Sequence, residues 1–278
     1  MTMKGIHAEA GEGVGLICDA HVHVGRIGDG RTRRAFEPVE IVEILKAHGV
    51  SEFIFSSMNS QSGASMDKIV QDAIETQTAF GRGAHAFYWL AGRFYDEDPD
   101  LKALDNEIWD GVKLHELETP WVKKRPKDLD RILSILEERD IPVQFHTGED
   151  AGCYPHELLP FAMRHPKLRI DFAHCRPYAE TIDCLRECRN LFTDTAFMPT
   201  EYYPKLIAAD LEERVLFGTD LPIQGGYSDD PISELYGREL DVARRAEYSK
   251  AVMSDNFHRF LFGTISAGEL QGCPQSAE

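Results

Sequence analysis

Asp19-Ala20-His21-Val22-His23 is the stretch of this chain whose residue types and spacing point most directly to chemistry. It follows Gly15-Leu16-Ile17-Cys18, a short apolar run that reads as the start of a buried strand. Alternate side chains of a strand share a face, so Asp19, His21 and His23 are expected to point the same way. Two imidazoles so placed can grip one divalent cation. Taken alone, the pair reads equally as two alternating core histidines. The positions of the other candidate ligands decide between these readings.

Those candidates stand at the ends of further apolar runs. Strands are expected over 16–23, 52–57, 86–93, 111–115, 142–147, 168–174, 191–195 and 215–220. His21 and His23 close the first of these, Lys113 and His115 the fourth, His146 the fifth, His174 the sixth and Asp220 the eighth. Helical patterns fill the gaps. The segment 38–48 carries Val39, Ile41, Val42, Ile44 and Leu45 and stops at Gly49. The segment 128–139 repeats Leu129, Ile132, Leu133, Ile135 and Leu136 on one face. Shorter helices are expected at 155–164, 178–189 and 200–209, and one or two more over 233–262.

Strands alternating with helices imply a parallel sheet with right-handed crossovers. Eight such units in about 250 residues match an α/β fold of the TIM (β/α)8 barrel type, here with a C-terminal helical extension. A doubly wound open sheet accommodates this strand count less well. Catalytic groups of a barrel gather at the carboxyl ends of its strands, so His21, His23, His146, His174 and Asp220 would share one rim. No linker, repeat or low-complexity block divides the chain. The expected organisation is a mobile N-terminal segment (1–15), one barrel domain (16–263) and a small, polar, mobile tail (264–278).

Composition narrows the partners. The 278 residues are 42% hydrophobic and 28% charged, as in ordinary globular proteins. A formal net charge of -17 argues against nucleic acid and anionic membrane surfaces, both of which need basic patches. The six cysteines lack the spacing of a disulfide framework and read as reduced thiols, with Cys184 and Cys188 one helical turn apart. The polar, glycine-rich start lacks the apolar core of a signal peptide, and no run approaches the roughly 18 apolar residues of a membrane span. The expectation is a cytoplasmic protein acting on a small molecule, with no nucleic-acid or membrane partner. A homo-oligomer is compatible with a barrel of this size.

From Asp19 to the closing Asn256-Phe257-His258-Arg259-Phe260-Leu261-Phe262, the chain resembles the amidohydrolase superfamily of metal-dependent barrels. The Gly111-Val112-Lys113-Leu114-His115 strand, the Gly218-Thr219-Asp220 strand end and that closing segment are similar to one branch of it. This branch holds aminocarboxymuconate-semialdehyde decarboxylase and the 2-pyrone-4,6-dicarboxylate lactonases. The resemblance implies that His21, His23, His146 and Asp220 hold one divalent ion, most often zinc, with manganese as an alternative. It also implies that His174 lies near the bound water or substrate. In two-metal members a carboxylated lysine at the position of Lys113 bridges the ions, and this chain has every residue for that set as well. TatD-type nucleases also begin with His-x-His, but carry an acidic residue in a Gly-Glu-Ile-Gly context where this chain has Lys113. The polymerase-and-histidinol-phosphatase barrels need more His and acidic ligands on the early strands than are present.

Three neutral imidazoles and a carboxylate leave a zinc ion with net positive charge, which would lower the pKa of a bound water toward neutrality. Asp220 could accept that water's proton, and His174 could act as a second acid/base or orient the developing oxyanion. The reaction expected is hydrolysis of an ester, lactone or amide in a small, carboxylated molecule. Non-oxidative decarboxylation of an unsaturated or aromatic acid is the alternative, since it uses the same cradle. A barrel whose metal is purely structural is a third reading.

Substrate contacts are expected from Arg93 and Arg176, whose guanidinium groups match carboxylates in a two-pronged fashion, unless they form rim salt bridges. Lys113 could pair with a substrate carboxylate or a neighbouring acid. Arg26, in the glycine-rich loop 25–31, could reach over the pocket. His115 reads as a partner of the ligands rather than a ligand. Ser56 and Ser57 lack a nucleophile-elbow context, and Cys175 alternates away from the barrel axis. Trp89, Trp109 and Trp121 read as core or interface residues, and His7, His48, His85, His156, His165 and His258 as structural or exposed.

Overall fold

The computed structural model describes residues 16–26, 35–61, 64–90, 101–117, 119–226 and 228–263. Eight parallel strands form its centre: β1 (Cys18–Arg26), β3 (Glu52–Ser57), β4 (Ala84–Leu90), β5 (Trp109–Leu114), β6 (Val143–His146), β7 (Ile170–Ala173), β8 (Leu191–Asp194) and β9 (Val215–Leu216). They pair in chain order. The ring closes where Ala20 N donates to Phe217 O (2.8 Å), Asp220 N to His21 O (2.8 Å) and His23 N to Leu221 O (2.6 Å). The expected barrel is therefore the observed one. A two-residue strand β2 (Ala35–Phe36), absent from the sequence expectation, pairs antiparallel with the end of β1. The sequence strand at 86–93 runs into residues 91–100, which lie outside the described residues, as do 1–15, 264–278 and the loop 27–34.

The helices form the outer layer, and their buried positions follow the helical repeat. Helix α1 (Pro38–Ala47) buries Ile41, Val42 and Leu45. After α2 (Met66–Phe80) come the single turn α3 (Trp121–Lys124) and α4 (Pro126–Glu138), which buries Leu129, Ile132, Leu133 and Leu136. Then follow α5 (Pro155–Arg164), α6 (Tyr178–Glu187), α7 (Tyr203–Ala208), α8 (Ile232–Arg245) and α9 (Asn256–Phe262). Helix α2 escapes a reading based on apolar spacing because its inward face includes polar side chains. Asp72 and Thr76 are buried there, and Asp72 Oδ2 accepts from Ser57 Oγ (2.5 Å) and Asn59 Nδ2 (2.7 Å). Ser65 caps its start by accepting from Lys68 N. No helix among the described residues is long and apolar enough to cross a membrane.

Helix α9 seals the amino-terminal end of the barrel. Its Phe257, Phe260 and Leu261 pack against Cys18, Ala20, Ile54, Phe87, Phe192 and Leu216, the lowest inward residues of the strands. Arg169 secures this plug by donating to the carbonyls of Phe260 (2.6 Å) and Leu261 (3.2 Å), which a helix end otherwise leaves unpaired. With the centre of this end filled by hydrocarbon, the barrel interior opens toward the other end.

Candidate active site

The site begins with an irregularity in β1. Between Asp19 and Val22 the strand slips register against β3, which breaks the simple alternation of side chains. His21 and His23 face the barrel mouth, but Asp19 does not join them, correcting the expectation that all three share a face. Its Oδ2 accepts from Thr219 Oγ1 (2.7 Å) and from the Tyr236 hydroxyl on α8 (3.1 Å). Its Oδ1 accepts from His21 N (3.0 Å) and Thr219 N (3.2 Å). Burial raises the Asp19 carboxyl to about 7, against these hydrogen bonds. Asp19 thus clamps the seam between first and last strands and positions His21 through its backbone N–H, away from the imidazole rings.

Each histidine of the pair is oriented through its Nδ1. His21 Nδ1 lies 2.7 Å from Asp194 Oδ2, at the end of β8, and His23 Nδ1 lies 2.9 Å from Ser56 Oγ, on β3. An ionised carboxylate only accepts, so His21 carries its proton on Nδ1 and presents a bare Nε2. With Ser56 accepting, His23 does the same. Both bare nitrogens face Asp220 Oδ1, at 3.4 Å from His21 and 2.9 Å from His23. That oxygen is buried and has no hydrogen-bond partner. Three lone pairs directed at one another are costly without a cation between them, and they fit a divalent ion. Burial lowers the His23 imidazole to about 4, keeping it neutral as a ligand must be. Burial alone would raise Asp220, but positive charge at His21 and His23, which a cation between them would supply when the imidazoles are neutral, outweighs it and holds the carboxyl well below the usual range. Asp220 adopts a left-handed backbone, φ 55°, a strained conformation for a non-glycine residue that aims its carboxylate inward.

Lys113 lies deeper than a substrate-binding lysine would. Its side chain is buried, with Nζ 3.0 Å from His21 Nε2 and 2.9 Å from Gln144 Oε1. Gln144 in turn donates to Asp171 Oδ2 at 2.8 Å. Burial lowers the Lys113 ammonium to about 8, although Asp220, Asp194 and Asp171 oppose the shift. In this structure Nζ donates into the lone pair that an ion would use. An ion bound by His21 must therefore displace Nζ or meet it deprotonated.

The remaining histidines form a second tier. His174 Nε2 lies 3.1 Å from His146 Nδ1, and the His146 ring stacks on His115 at 3.9 Å between centroids. His146 does not join the tight cluster of His21, His23 and Asp220, whose ligand atoms lie within 4.8 Å of one another. It is linked to that cluster through His174, whose ring is 4.9 Å from that of His21. A second cluster of the same tightness joins His21, His174 and Asp194. His174 also has a left-handed backbone, φ 76°, stabilised where its N–H donates to Asp194 Oδ1 (2.9 Å). Burial lowers His115 and His174 to about 3 and His146 well below its ordinary value, so all three imidazoles are neutral. The Nδ1 atoms of His115 and His174 are buried without a hydrogen-bond partner.

The predicted arginines divide. Arg176 is half-buried, and its charge acts on His146. Its Nε is shielded from solvent and without a hydrogen-bond partner. Arg26 is exposed at the end of β1. Arg93 and most of the 25–31 loop lie outside the described residues. Cys175 is buried and its thiol is pushed up to about 12, unlike an activated nucleophile.

Sequence reasoning missed Asp194, the residue that binds His21 and His174 together. The signal was present, since Asp194 stands next to last in the expected strand 191–195, and in the structure β8 ends on it. Ser56, set aside as a nucleophile, serves His23 instead, and Gln144 joins Lys113 to Asp171.

A barrel with one end plugged and metal-ligating side chains converging at the other defines the class of metal-site (β/α)8 proteins. The amidohydrolase family model matches residues 18–262, and the chain belongs to that family. Among curated proteins none matches the chain. Among solved structures, a Burkholderia multivorans amidohydrolase with bound zinc is similar at 16% identity and TM-score 0.63, covering 88% of this chain and 99% of that one. A probable 2-pyrone-4,6-dicarboxylic acid hydrolase from Acinetobacter baumannii, with citric acid bound, has 12% identity and TM-score 0.64, over 88% and 98%. A 2,6-dihydroxybenzoate decarboxylase from Rhizobium has 14% identity and TM-score 0.58, over 89% and 98%. At these identities the likeness is one of fold.

Proposed function

We propose that the chain is a metal-assisted hydrolase of a small carboxylated ester, lactone or amide. The observation that carries this reading is the convergence of His21 Nε2, His23 Nε2 and the unpartnered Asp220 Oδ1 on one buried point. His21, His23 and Asp220 would hold the ion, with His174 the nearest further imidazole and His146 behind it on the same rim. A divalent ion there, zinc by its donor set, supplies Lewis-acid polarisation of the scissile carbonyl and acidifies water.

The protein's own groups supply the rest. Asp220 is held ionised and is therefore able to accept the proton of the attacking water. If His146 keeps its Nε2 bare, its Nδ1 carries the proton and donates to His174 Nε2. His174 then holds its own proton on Nδ1, the buried atom that lacks a partner. That N–H is a neutral donor for an oxygen on which negative charge develops. Arg176 faces this tier with an unused Nε and suits a substrate carboxylate.

The test combines product analysis with metal content. Lactones and carboxylated aromatics are incubated with wild type and His174→Ala, and ring-opened acid is distinguished from released carbon dioxide. Hydrolysis lost by about 10²–10³-fold in His174→Ala, with metal retained, supports the assignment. Unchanged turnover with metal still bound refutes the role of His174. Decarboxylation is the second reading, favoured by Arg176 beside the histidine tier, and carbon dioxide as the sole product would select it.

A further inference from the structure

The amino-terminal end of the barrel carries a second group of metal-ligating side chains. Cys18 opens β1, Glu52 opens β3, and the two residues are partners across the ladder. His258 reaches them from α9, the helix that plugs this end. The Cys18 sulfur, a Glu52 carboxylate oxygen and a His258 ring nitrogen all lie within 4.8 Å of one another. His258 Nε2 is 2.6 Å from Glu52 Oε1, and His85 Nε2 is 3.2 Å from Glu52 Oε2. His85 Nδ1 faces Asp110 Oδ2 at 3.5 Å.

We propose that Cys18, Glu52 and His258 form a second divalent-metal site, suited to zinc, that ties α9 to the floor of the barrel. One sulfur, one imidazole nitrogen and one carboxylate oxygen make a donor set for zinc rather than for magnesium or calcium. Ligand atoms around a tetrahedral zinc stand roughly 3.3–3.7 Å apart, given bond lengths of about 2.0–2.3 Å, so a cluster held within 4.8 Å reaches that geometry by side-chain shifts of about an ångström. The short contact between His258 and Glu52 is the one an ion would split, each atom then facing the metal. Cys18 is fully buried, whereas the His258 side chain is 35% exposed, so the ion enters past His258 and keeps a position open to water. Binding releases the thiol proton to solvent, and the resulting thiolate and carboxylate balance the two charges of the ion. His85, backed by Asp110, orients the second Glu52 oxygen as outer partners of metal ligands do. Because the ligands join residue 18 to residue 258, binding free energy adds to folding stability.

Cobalt(II) titration of the metal-free full-length chain tests this independently of any activity. A thiolate-to-cobalt charge-transfer band in the near ultraviolet reports a sulfur ligand. His21, His23 and Asp220 provide no sulfur, so the two sites separate spectroscopically. The wild type is expected to develop the band at an amplitude of one thiolate-bound cobalt per chain, with a second cobalt bound without sulfur at the other end. Cys18→Ser should abolish it while leaving the visible absorption of cobalt at the other end. His258→Ala, at a position open to solvent, should weaken the band-forming affinity by more than roughly tenfold, the least that even an outer partner's loss costs. No band in the wild type at saturating cobalt overturns the proposal. So does a band that persists in Cys18→Ser, or an unchanged affinity in His258→Ala.

Discussion

Asp194→Asn would exchange one oxygen for nitrogen, with consequences that the geometry makes specific. Asp194 Oδ2 holds His21 Nδ1 at 2.7 Å, while Oδ1 accepts from the backbone N–H groups of His174 and Ala196, each at 2.9 Å. An asparagine must keep its carbonyl oxygen toward those two backbone donors, which places its amide NH2 against His21 Nδ1. A donor then faces a donor. His21 is forced into the other tautomer and turns an Nε2–H toward Asp220 and Lys113, so the bare nitrogen an ion needs is lost. Loss of an orienting partner of this kind costs about 10–100-fold in metal affinity, or roughly 1.4–2.8 kcal/mol. The buried charge-assisted hydrogen bond contributes a further ~1.5–3 kcal/mol to stability, with no solvent screening because both side chains are buried. Burial raises the Asp194 carboxyl, but His21 and His174 outweigh it and hold the group below its ordinary range, so the charge that Asn removes is present at neutral pH. Metal affinity is measured by chelator competition, the His21 tautomer by nitrogen NMR, and stability by denaturant unfolding. Wild-type affinity together with an unchanged His21 tautomer would refute the reasoning.

Acid should unfold the metal-free protein through its buried imidazoles. Burial lowers His23 to about 4 and His115 and His174 to about 3, whereas the unfolded chain takes up these protons below about 6.5. These three groups make the unfolded state bind more protons as pH falls from about 6.5 toward 4; Asp19, raised to about 7, holds its proton in the folded state and offsets one of them, so stability declines by up to roughly 3 kcal/mol per pH unit. A urea midpoint that stays constant between neutral pH and about pH 5 would contradict this. At the other end of the barrel, Phe260→Ala should cost about 3–5 kcal/mol, because its ring is fully buried against Phe192 and Phe87. The guanidinium midpoint checks it; a loss below about 1 kcal/mol would show that α9 is not a true plug.

Much of this protein is legible from its residues in order. Parallel strands buried on both faces read as apolar runs, and helices that cover them read as amphipathic repeats, because each signal is local and periodic. Placing His21, His23, His146, His174 and Asp220 at strand ends followed from that alone, since a barrel brings all such ends to one rim. Helix α2 escaped because its inward Asp72 and Thr76 are compatible with burial only through Ser57 and Asn59, partners that apolar spacing does not reveal.

What tertiary structure decided was which of the rim residues touch. The register slip after Asp19 turns that carboxylate to Thr219 and Tyr236, residues some 200 positions away. Asp194 selects the His21 tautomer across 173 residues of chain. Lys113 packs beneath the ligands instead of over the substrate, and His146 pairs with His174 rather than with the first-strand histidines. Periodicity fixes which face of a strand a side chain occupies. Its protonation, its partners and its distance from a common point depend on the closed ring, where strands far apart in sequence impose charge and dehydration on one another.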